Sequence, residues 1–88
     1  MINRLTVTGD PAEFERIIAR ITEYMTAQPG FVEHSLMRSL RRPEVYVEMA
    51  RWTDADSHRK AMQGEEFQRR VRELSSVAQA DPDVFAEV

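Results

Sequence analysis

The sequence contains no cysteine, only 3 glycines and a single tryptophan in 88 residues. Without cysteine the chain cannot form a disulfide, use a thiol nucleophile, or bind zinc or an iron–sulfur cluster through thiolates. It also lacks any run approaching the roughly 20 apolar residues of a membrane span, and its N-terminal segment lacks the apolar core of a signal peptide. We therefore expect a cytoplasmic protein without a membrane association.

Basic residues are not in surplus either. The 12 Lys and Arg residues stand against 15 Asp and Glu, which gives a net charge of −3. Since nucleic-acid phosphates are bound by a basic excess, we do not expect nucleic acid as a partner. The length predicts one domain, residues 1–88, and a domain of this size buries only roughly 60 to 65% of its unfolded surface. A roomy ligand cavity competes with such a small core, and dimerisation would relieve the competition.

The pattern of apolar residues predicts strands at 2–8, 31–40, 45–52 and 84–88, with helical regions between the first two and the last two. The first helix is the clearest element. Asp10 is a typical N-cap, Pro11 suits the first helical position, and a proline at position 29 stops the helix before Gln28. The second helical region follows Trp52 and is expected to break at Gln63-Gly64. The segment Asp81-Pro82-Asp83 is expected to end it.

This order of elements, strand, helix, strand, strand, helix, strand, is the ferredoxin-like βαββαβ arrangement with an antiparallel sheet, an α+β fold. The strand at 45–52 has large apolar groups on both faces, which indicates that both are covered. Helices cover one face, and a second copy of the chain is expected to cover the other. Glu48 lies on a covered face beside aromatic groups, so its carboxylate must be paired, hydrated or neutralised, which makes it a candidate functional group.

Most familiar catalytic motifs are missing. There is no glycine-rich phosphate loop, no nucleophile elbow and no His pair at metal-ligand spacing, and the two histidines lie on different elements. Spacing does not exclude a two-His metal site, but no carboxylate pattern supports one, so no metal site is predicted. What remains is a set of polar or charged side chains and the aromatic groups near them, which are the candidate site residues: Asn3, His34, Tyr46, Glu48, Trp52, His58 and Arg72.

Several short segments are familiar together. They are Asn3-Arg-Leu-Thr-Val-Thr in the first strand, Gln28-Pro-Gly-Phe31 before the second, and Val47-Glu-Met-Ala-Arg-Trp52, followed six residues later by His58 and then by Glu66-Phe67. In this combination, which extends over nearly the whole chain, the sequence resembles the antibiotic biosynthesis monooxygenase family. The resemblance implies a dimeric α+β barrel and an enzyme of aromatic polyketide pathways.

Members of that family that oxidise anthrones use dioxygen without metal, flavin or haem, so the resemblance implies no cofactor. A phenol or enol loses a proton, and the resulting electron-rich anion gives an electron to dioxygen. The family's tryptophan falls on Trp52 and its pocket arginine on Arg72. Its strand asparagine is replaced by Glu48 and its helix tyrosine by His58. The resemblance thus implies Trp52 as a stacking surface, Arg72 as an oxyanion ligand, and His58 or Glu48 as the base.

Three further residues are expected to contact substrate, namely Asn3, His34 and Tyr46. Asn3 could position dioxygen or a substrate carbonyl, or tie down a neighbouring strand. A second branch of the family degrades haem with a strand asparagine, a helix tryptophan and a helix histidine. Asn3 matches the first of these, but the other two positions are Ala61 and Val71, so haem degradation is disfavoured.

The sequence therefore predicts a cofactor-independent monooxygenase that oxidises a polycyclic aromatic polyketide or related phenol with dioxygen. Two alternatives stay open. A polyketide cyclase or isomerase on the same scaffold would need the same acid and base groups but no dioxygen. A non-catalytic binding or assembly member would have its pocket filled by side chains.

Overall fold

The structure is a computed structural model that describes residues 1–88. It consists of a four-stranded antiparallel sheet with the helices on one face. The sheet order is β2-β3-β1-β4, which confirms the predicted ferredoxin-like α+β fold. None of the helices is long and apolar enough to cross a membrane. The elements in chain order are β1 (Ile2–Val7), α1 (Pro11–Thr26), β2 (Phe31–Arg38), β3 (Val45–Trp52), α2 (Ala55–Met62), α3 (Glu65–Leu74) and β4 (Ala78–Asp83).

The first helix forms as its sequence predicts. The side chain of Asp10 accepts a hydrogen bond from the Ala12 amide at 3.2 Å, and Pro11 occupies the first turn. Apolar residues at helical spacing then bury one face of α1 against the sheet: Phe14, Ile17, Ile18, Ile21 and Met25. Burial of a side chain of this size stabilises the fold by about 1.5 to 3 kcal/mol, so this face of α1 is the main part of the core.

The second helical region is interrupted at Gln63-Gly64, as predicted, which yields α2 and α3. Asp54 caps α2 by accepting from the Ser57 amide at 2.7 Å. At the break, the Tyr24 hydroxyl donates to the Ala61 carbonyl at 3.0 Å, and a side chain on Gly64 would collide with that hydroxyl. The break thus allows α1 to approach the junction of α2 and α3.

The prediction for the end of the chain was wrong. The last strand is Ala78–Asp83 rather than 84–88, and residues 84–88 have no regular structure. The helix ends at Leu74, where the hydroxyls of Ser75 and Ser76 donate to carbonyls of the last turn. The proline of the Asp-Pro-Asp segment is tolerated because β4 is an edge strand, where a missing amide donor breaks no ladder. The predicted ends of β1 and β2 were also one and two residues too late.

Strand register decides which side chains face the helices. Because Leu36 pairs with Glu48 and His34 with Ala50, the alternate residues of β2 that include His34 face the helices, a choice that the sequence alone left open. On the opposite face, hereafter the outer face, Ile2, Met37 and Met49 are 36%, 49% and 42% exposed. The outer face therefore carries apolar side chains that the single chain leaves uncovered.

Candidate active site

A cavity of about 430 Å³ lies between the inner face of the sheet and the helices. This volume falls in the range of about 300 to 1,000 Å³ that small-molecule sites occupy. Most of its wall is apolar, with contributions from all three helices that include Ile18, Ile21, Met25, Met62, Phe67 and Val71. Its polar lining groups include Asn3, Glu48 and His58. The arrangement suits a flat, mostly apolar ligand that makes a few polar contacts.

Asn3 and Glu48 are the two buried polar residues of the chain, with 9% and 3% of their surface exposed. They lie directly opposite each other on β1 and β3, and side chains at such positions have Cβ atoms about 4.5 to 5.5 Å apart. Asn3 Oδ1 accepts from the Asp81 amide of β4 at 3.1 Å, which ties the neighbouring strand and fixes the amide so that Nδ2 remains as a donor. The cavity floor thus places an amide donor beside a carboxylate acceptor.

Glu48 satisfies one oxygen within the protein. His34 Nε2 lies 3.0 Å from Glu48 Oε2, and the side chains are 12% and 4% exposed. A carboxylate oxygen only accepts, so the imidazole nitrogen donates. The hydroxyl of Thr22 lies 3.4 Å from the same nitrogen. This pairing gives the buried carboxylate the partner that it was expected to require. No third His, Asp or Glu joins the pair to form a set that could hold a metal ion.

His58 is held neutral by its surroundings. Burial lowers the pKa of its imidazole below the ordinary 6.5, and the positive charge of the N-terminal ammonium lowers it further. At neutral pH the ring is therefore uncharged and able to accept a proton. Its Nε2 atom is buried and has no hydrogen-bond partner. A substrate hydroxyl that reached this nitrogen would supply the missing hydrogen bond.

Two more predicted residues also have an unpartnered polar atom in the interior, namely Trp52 Nε1 and the Tyr46 hydroxyl. The Trp52 ring packs 5.5 Å from the His58 ring and 5.4 Å from Phe31, centroid to centroid, so it lies behind His58 and outside the cavity lining. Tyr46 packs 4.7 Å from Phe14 in the core and is likewise outside the lining. In this structure Trp52 supports His58, and its stacking on substrate remains a prediction.

Arg72 does not join the other candidates. It is exposed and does not line the cavity, whereas Phe67, Val71 and Leu74 of the same helix do. Adjacent helix residues are separated by about 100° around the axis at 3.6 residues per turn, and this rotation turns Arg72 away from Val71 and toward solvent. The role of an oxyanion ligand for Arg72 therefore stays a prediction that its position does not support.

Sequence reasoning missed the residues of β4 and the following segment that complete the wall, including Ala80, Pro82 and Val84. The local pattern places them at the end of a helix and in a terminal strand. The signal that could have found them is the pairing of Asn3 with Pro82 across β1 and β4, which depends on contacts between distant parts of the chain.

The fold and the cavity together define a small α+β protein with a ligand-sized site, in which two acid–base groups that are not solvent-exposed, Glu48 and His58, lie in an apolar wall. Comparison with known proteins narrows this class. The profile of the family described as antibiotic biosynthesis monooxygenase matches residues 1–73. Deoxynogalonate monooxygenase of Streptomyces nogalater is 38% identical over 84 residues, which are 96% of this chain and 71% of the relative.

The crystal structure of SnoaB, a cofactor-independent oxygenase from Streptomyces nogalater, superposes with a TM-score of 0.94 at 37% identity, covering 99% of this chain and 89% of SnoaB. A conserved protein of Methanosarcina mazei shares the fold alone, with a TM-score of 0.74 at 17% identity over 91% of this chain and 87% of the other. The chain belongs to the antibiotic biosynthesis monooxygenase family. The family predicted from the sequence is thereby confirmed, and the named activities of the two Streptomyces relatives agree with the predicted monooxygenase.

Proposed function

We propose that this protein is a cofactor-independent monooxygenase that oxidises a polycyclic phenolic substrate of the anthrone type with dioxygen. The observation that carries the proposal is the apolar cavity with Asn3, Glu48 and His58 in its wall. The relatives add support, since one is named for deoxynogalonate oxidation and another is described as cofactor-independent.

The reaction needs three things from the protein. A base must remove a proton from the substrate, and we assign this role to Glu48 or His58, since the third such group in the cavity wall, Asp83, is exposed to solvent. A donor must stabilise the resulting oxyanion, and we assign this role to Asn3 Nδ2, because Asn3 lies directly across the strand pair from Glu48. Apolar walls must keep water from the anion until it has passed an electron to dioxygen. Overall, a ring CH₂ and O₂ become a ring carbonyl and water.

Oxygen consumption tests this proposal. Purified protein, stripped of metal with a chelator and free of flavin by its absorbance spectrum, is mixed with anthrone in an oxygen electrode. We expect uptake of one O₂ per anthrone, with anthraquinone as product. Activity that appears only after flavin or iron is added would overturn the proposal. A different product that forms equally well without oxygen would indicate the cyclase or isomerase alternative.

A homodimer is part of the proposal. The outer face exposes Ile2, Met37 and Met49, and two such faces packed together would cover these side chains. Light scattering after size exclusion should give twice the chain mass. Met49→Glu places a charge in the centre of that face and should shift the protein to a monomer, whereas Ser75→Glu, at an exposed position beyond α3, should not. A wild-type monomer would contradict this part.

Location is a separate part of the proposal. We place the protein in the cytoplasm, where a chain without cysteine loses nothing to a reducing environment. Fractionation of cells that carry a tagged copy tests this assignment. Recovery of the tagged protein in the culture medium or in the membrane fraction would contradict it.

A further inference from the structure

We infer that His34 is a positioning residue for Glu48: its Nε2–H holds one carboxylate oxygen so that the other faces the cavity and takes the substrate proton. The inference rests on the proposed function for its substrate and goes beyond it by choosing Glu48 over His58 as the first proton acceptor. It also assigns to His34 a role other than substrate contact.

The two oxygens of Glu48 have different surroundings. Oε2 accepts from His34 Nε2 at 3.0 Å. Oε1 has no hydrogen-bond partner in the protein. Unpartnered side-chain atoms that are shielded from solvent do occur elsewhere in the chain, but Oε1 is not one of them. It therefore retains contact with solvent, and Glu48 lines the cavity. The free oxygen is the one that a ligand can reach.

His34 can hold this geometry because several contacts fix it. It lies on β2 beside β3, where Leu36 pairs with Glu48 and His34 with Ala50. The Thr22 hydroxyl donates to the Ile18 carbonyl at 2.9 Å, and it lies 3.4 Å from His34 Nε2. The imidazole is thus placed between a strand neighbour and a helix, and the carboxylate is oriented from outside the cavity.

Substrate binding increases the dependence of Glu48 on His34. A ligand that fills the cavity displaces the water that solvates Oε1, after which His34 Nε2–H is the one donor that the protein itself supplies to the carboxylate. A buried ion without such a donor is strongly disfavoured. His34 also lines a second hollow of about 450 Å³ beside Met1, Glu33 and Arg51. Glu33 and Arg51 pair with each other there at 3.5 Å.

The choice of Glu48 over His58 follows from its neighbour. Asn3 lies directly across the strand pair from Glu48, and its Nδ2 has no protein partner. When the O–H bond of a phenol, or of the enol tautomer of an anthrone, breaks, the proton bonds to Glu48 Oε1 and the electron pair stays on the substrate oxygen. An amide donor beside the base can then stabilise that oxygen. His58 Nε2 is instead sealed from solvent, which leaves Nδ1 as the ring nitrogen that a ligand can meet, and His58 lies on α2 rather than on the strand pair that carries Asn3.

The first arm of the experiment does not depend on turnover. Long-range ¹H–¹⁵N spectra of the full-length protein identify the tautomer of His34. We expect a proton on Nε2, and a shift of the Nε2 signal in Glu48→Leu, which has no acceptor. A wild-type His34 that carries its proton on Nδ1 alone would overturn the inference.

The second arm measures anthrone oxidation by three variants at saturating oxygen. His34→Leu removes the donor and should lower kcat about 10- to 100-fold with little change in KM, as loss of a residue that orients a reacting group does. His34→Gln keeps a donor at similar reach and should restore kcat to within about threefold of wild type. Arg20→Leu, at an exposed position on α1 that neither lines the cavity nor lies on the outer face, is the control and should keep full kcat.

If His34→Leu does not fold, His34→Asn replaces it, since the shorter amide does not reach Oε2. Equal kcat in wild type and in the variant without the donor, His34→Leu or His34→Asn, would refute the inference and leave the proposed function standing. Equal loss in the Gln and Leu variants would also refute it, because His34 would then matter for its shape. A wild type that consumes no oxygen with anthrone, although it shows the expected tautomer, would refute both the proposed function and the catalytic importance of His34, while the pairing would stand.

Discussion

The His34–Glu48 pair makes a quantitative prediction about stability. Replacing His34 by Leu leaves a carboxylate whose side chain is 4% exposed without its donor, and breaking a buried pair in this way costs about 3 to 5 kcal/mol. Because the cavity still hydrates Oε1, we expect the lower end, about 3 kcal/mol. A chain of this length has a total stability of roughly 4 to 13 kcal/mol, so the loss is a large part of it.

In thermal terms, unfolding entropies of about 2.1 cal/mol/K per residue convert this loss to a decrease in Tm of about 16 °C. The double variant His34→Leu with Glu48→Leu removes both the donor and the charge. It should return to within about 1 kcal/mol of wild type, because apolar replacements of buried ion pairs are often neutral or stabilising. We expect Glu48→Leu alone to be close to neutral, because it removes the buried charge, and the coupling energy of the cycle is then about 2 to 3 kcal/mol.

The assay is urea unfolding followed by Trp52 fluorescence at one fixed chain concentration, since dimerisation would make stability depend on concentration. The four proteins of the cycle are compared at the same pH. A loss below about 0.5 kcal/mol in His34→Leu is typical of an exposed pair and would refute the reasoning. So would a double variant that is less stable than either single one.

Three further predictions concern pH, backbone and cavity. Because the folded-state pKa of His58 lies below 6.5, the unfolded chain takes up a proton first as the pH falls. The contribution of the neutral His58 ring to the free energy of unfolding should therefore be fully present above about pH 6.5 and should be lost as the pH falls toward the folded pKa. His58→Gln should flatten this decline in urea titrations at pH 7.5 and 5.5. Gly30 has φ +85° and a side chain there would lie 2.5 Å from Ser57, so Gly30→Ala should lower the unfolding free energy by at least about 1 to 2 kcal/mol, and no change would contradict this. Val71→Phe fills the cavity and should raise KM for anthrone at least about tenfold, with exposed Arg69→Gln as the control; an unchanged KM would place the substrate elsewhere.

The elements predicted correctly are those whose signals are local. For α1, the cap at Asp10, the proline beside it and the apolar spacing all lie within the segment that they define. The break at Gln63-Gly64 is likewise local, because glycine disfavours a continuous helix. Such signals do not depend on what the segment packs against, and this is why the order of elements could be derived.

The last strand depends on distant contacts. Its residues Ala78–Asp83 pair with β1, and the Asp81 amide bonds to the Asn3 side chain, which is 78 residues away. In the local pattern, Ala78 continues the helical spacing of Val71 and Leu74, and the Asp-Pro-Asp segment is a stop signal. Tertiary pairing overrides both of these local preferences.

The candidate site also combines features that have a local sequence signal with features that depend on distant contacts. Glu48 could be singled out from the sequence because a carboxylate on a covered strand face requires a partner. That its partner is His34 depends on the register of β2 against β3, which the alternation of β2 leaves undecided. Arg72 is a candidate by its match to a family position, but that match does not fix which way the side chain turns on α3.

Labelled oxygen tests the central claim most directly, namely that this cavity deprotonates a phenol or enol substrate for attack by dioxygen. The metal-free, flavin-free protein is incubated with anthrone under ¹⁸O₂, and the product is analysed by mass spectrometry. We predict one ¹⁸O atom per anthraquinone, formed much more slowly by Glu48→Gln. A product that carries oxygen from water, or one formed equally fast by that variant, would contradict the account.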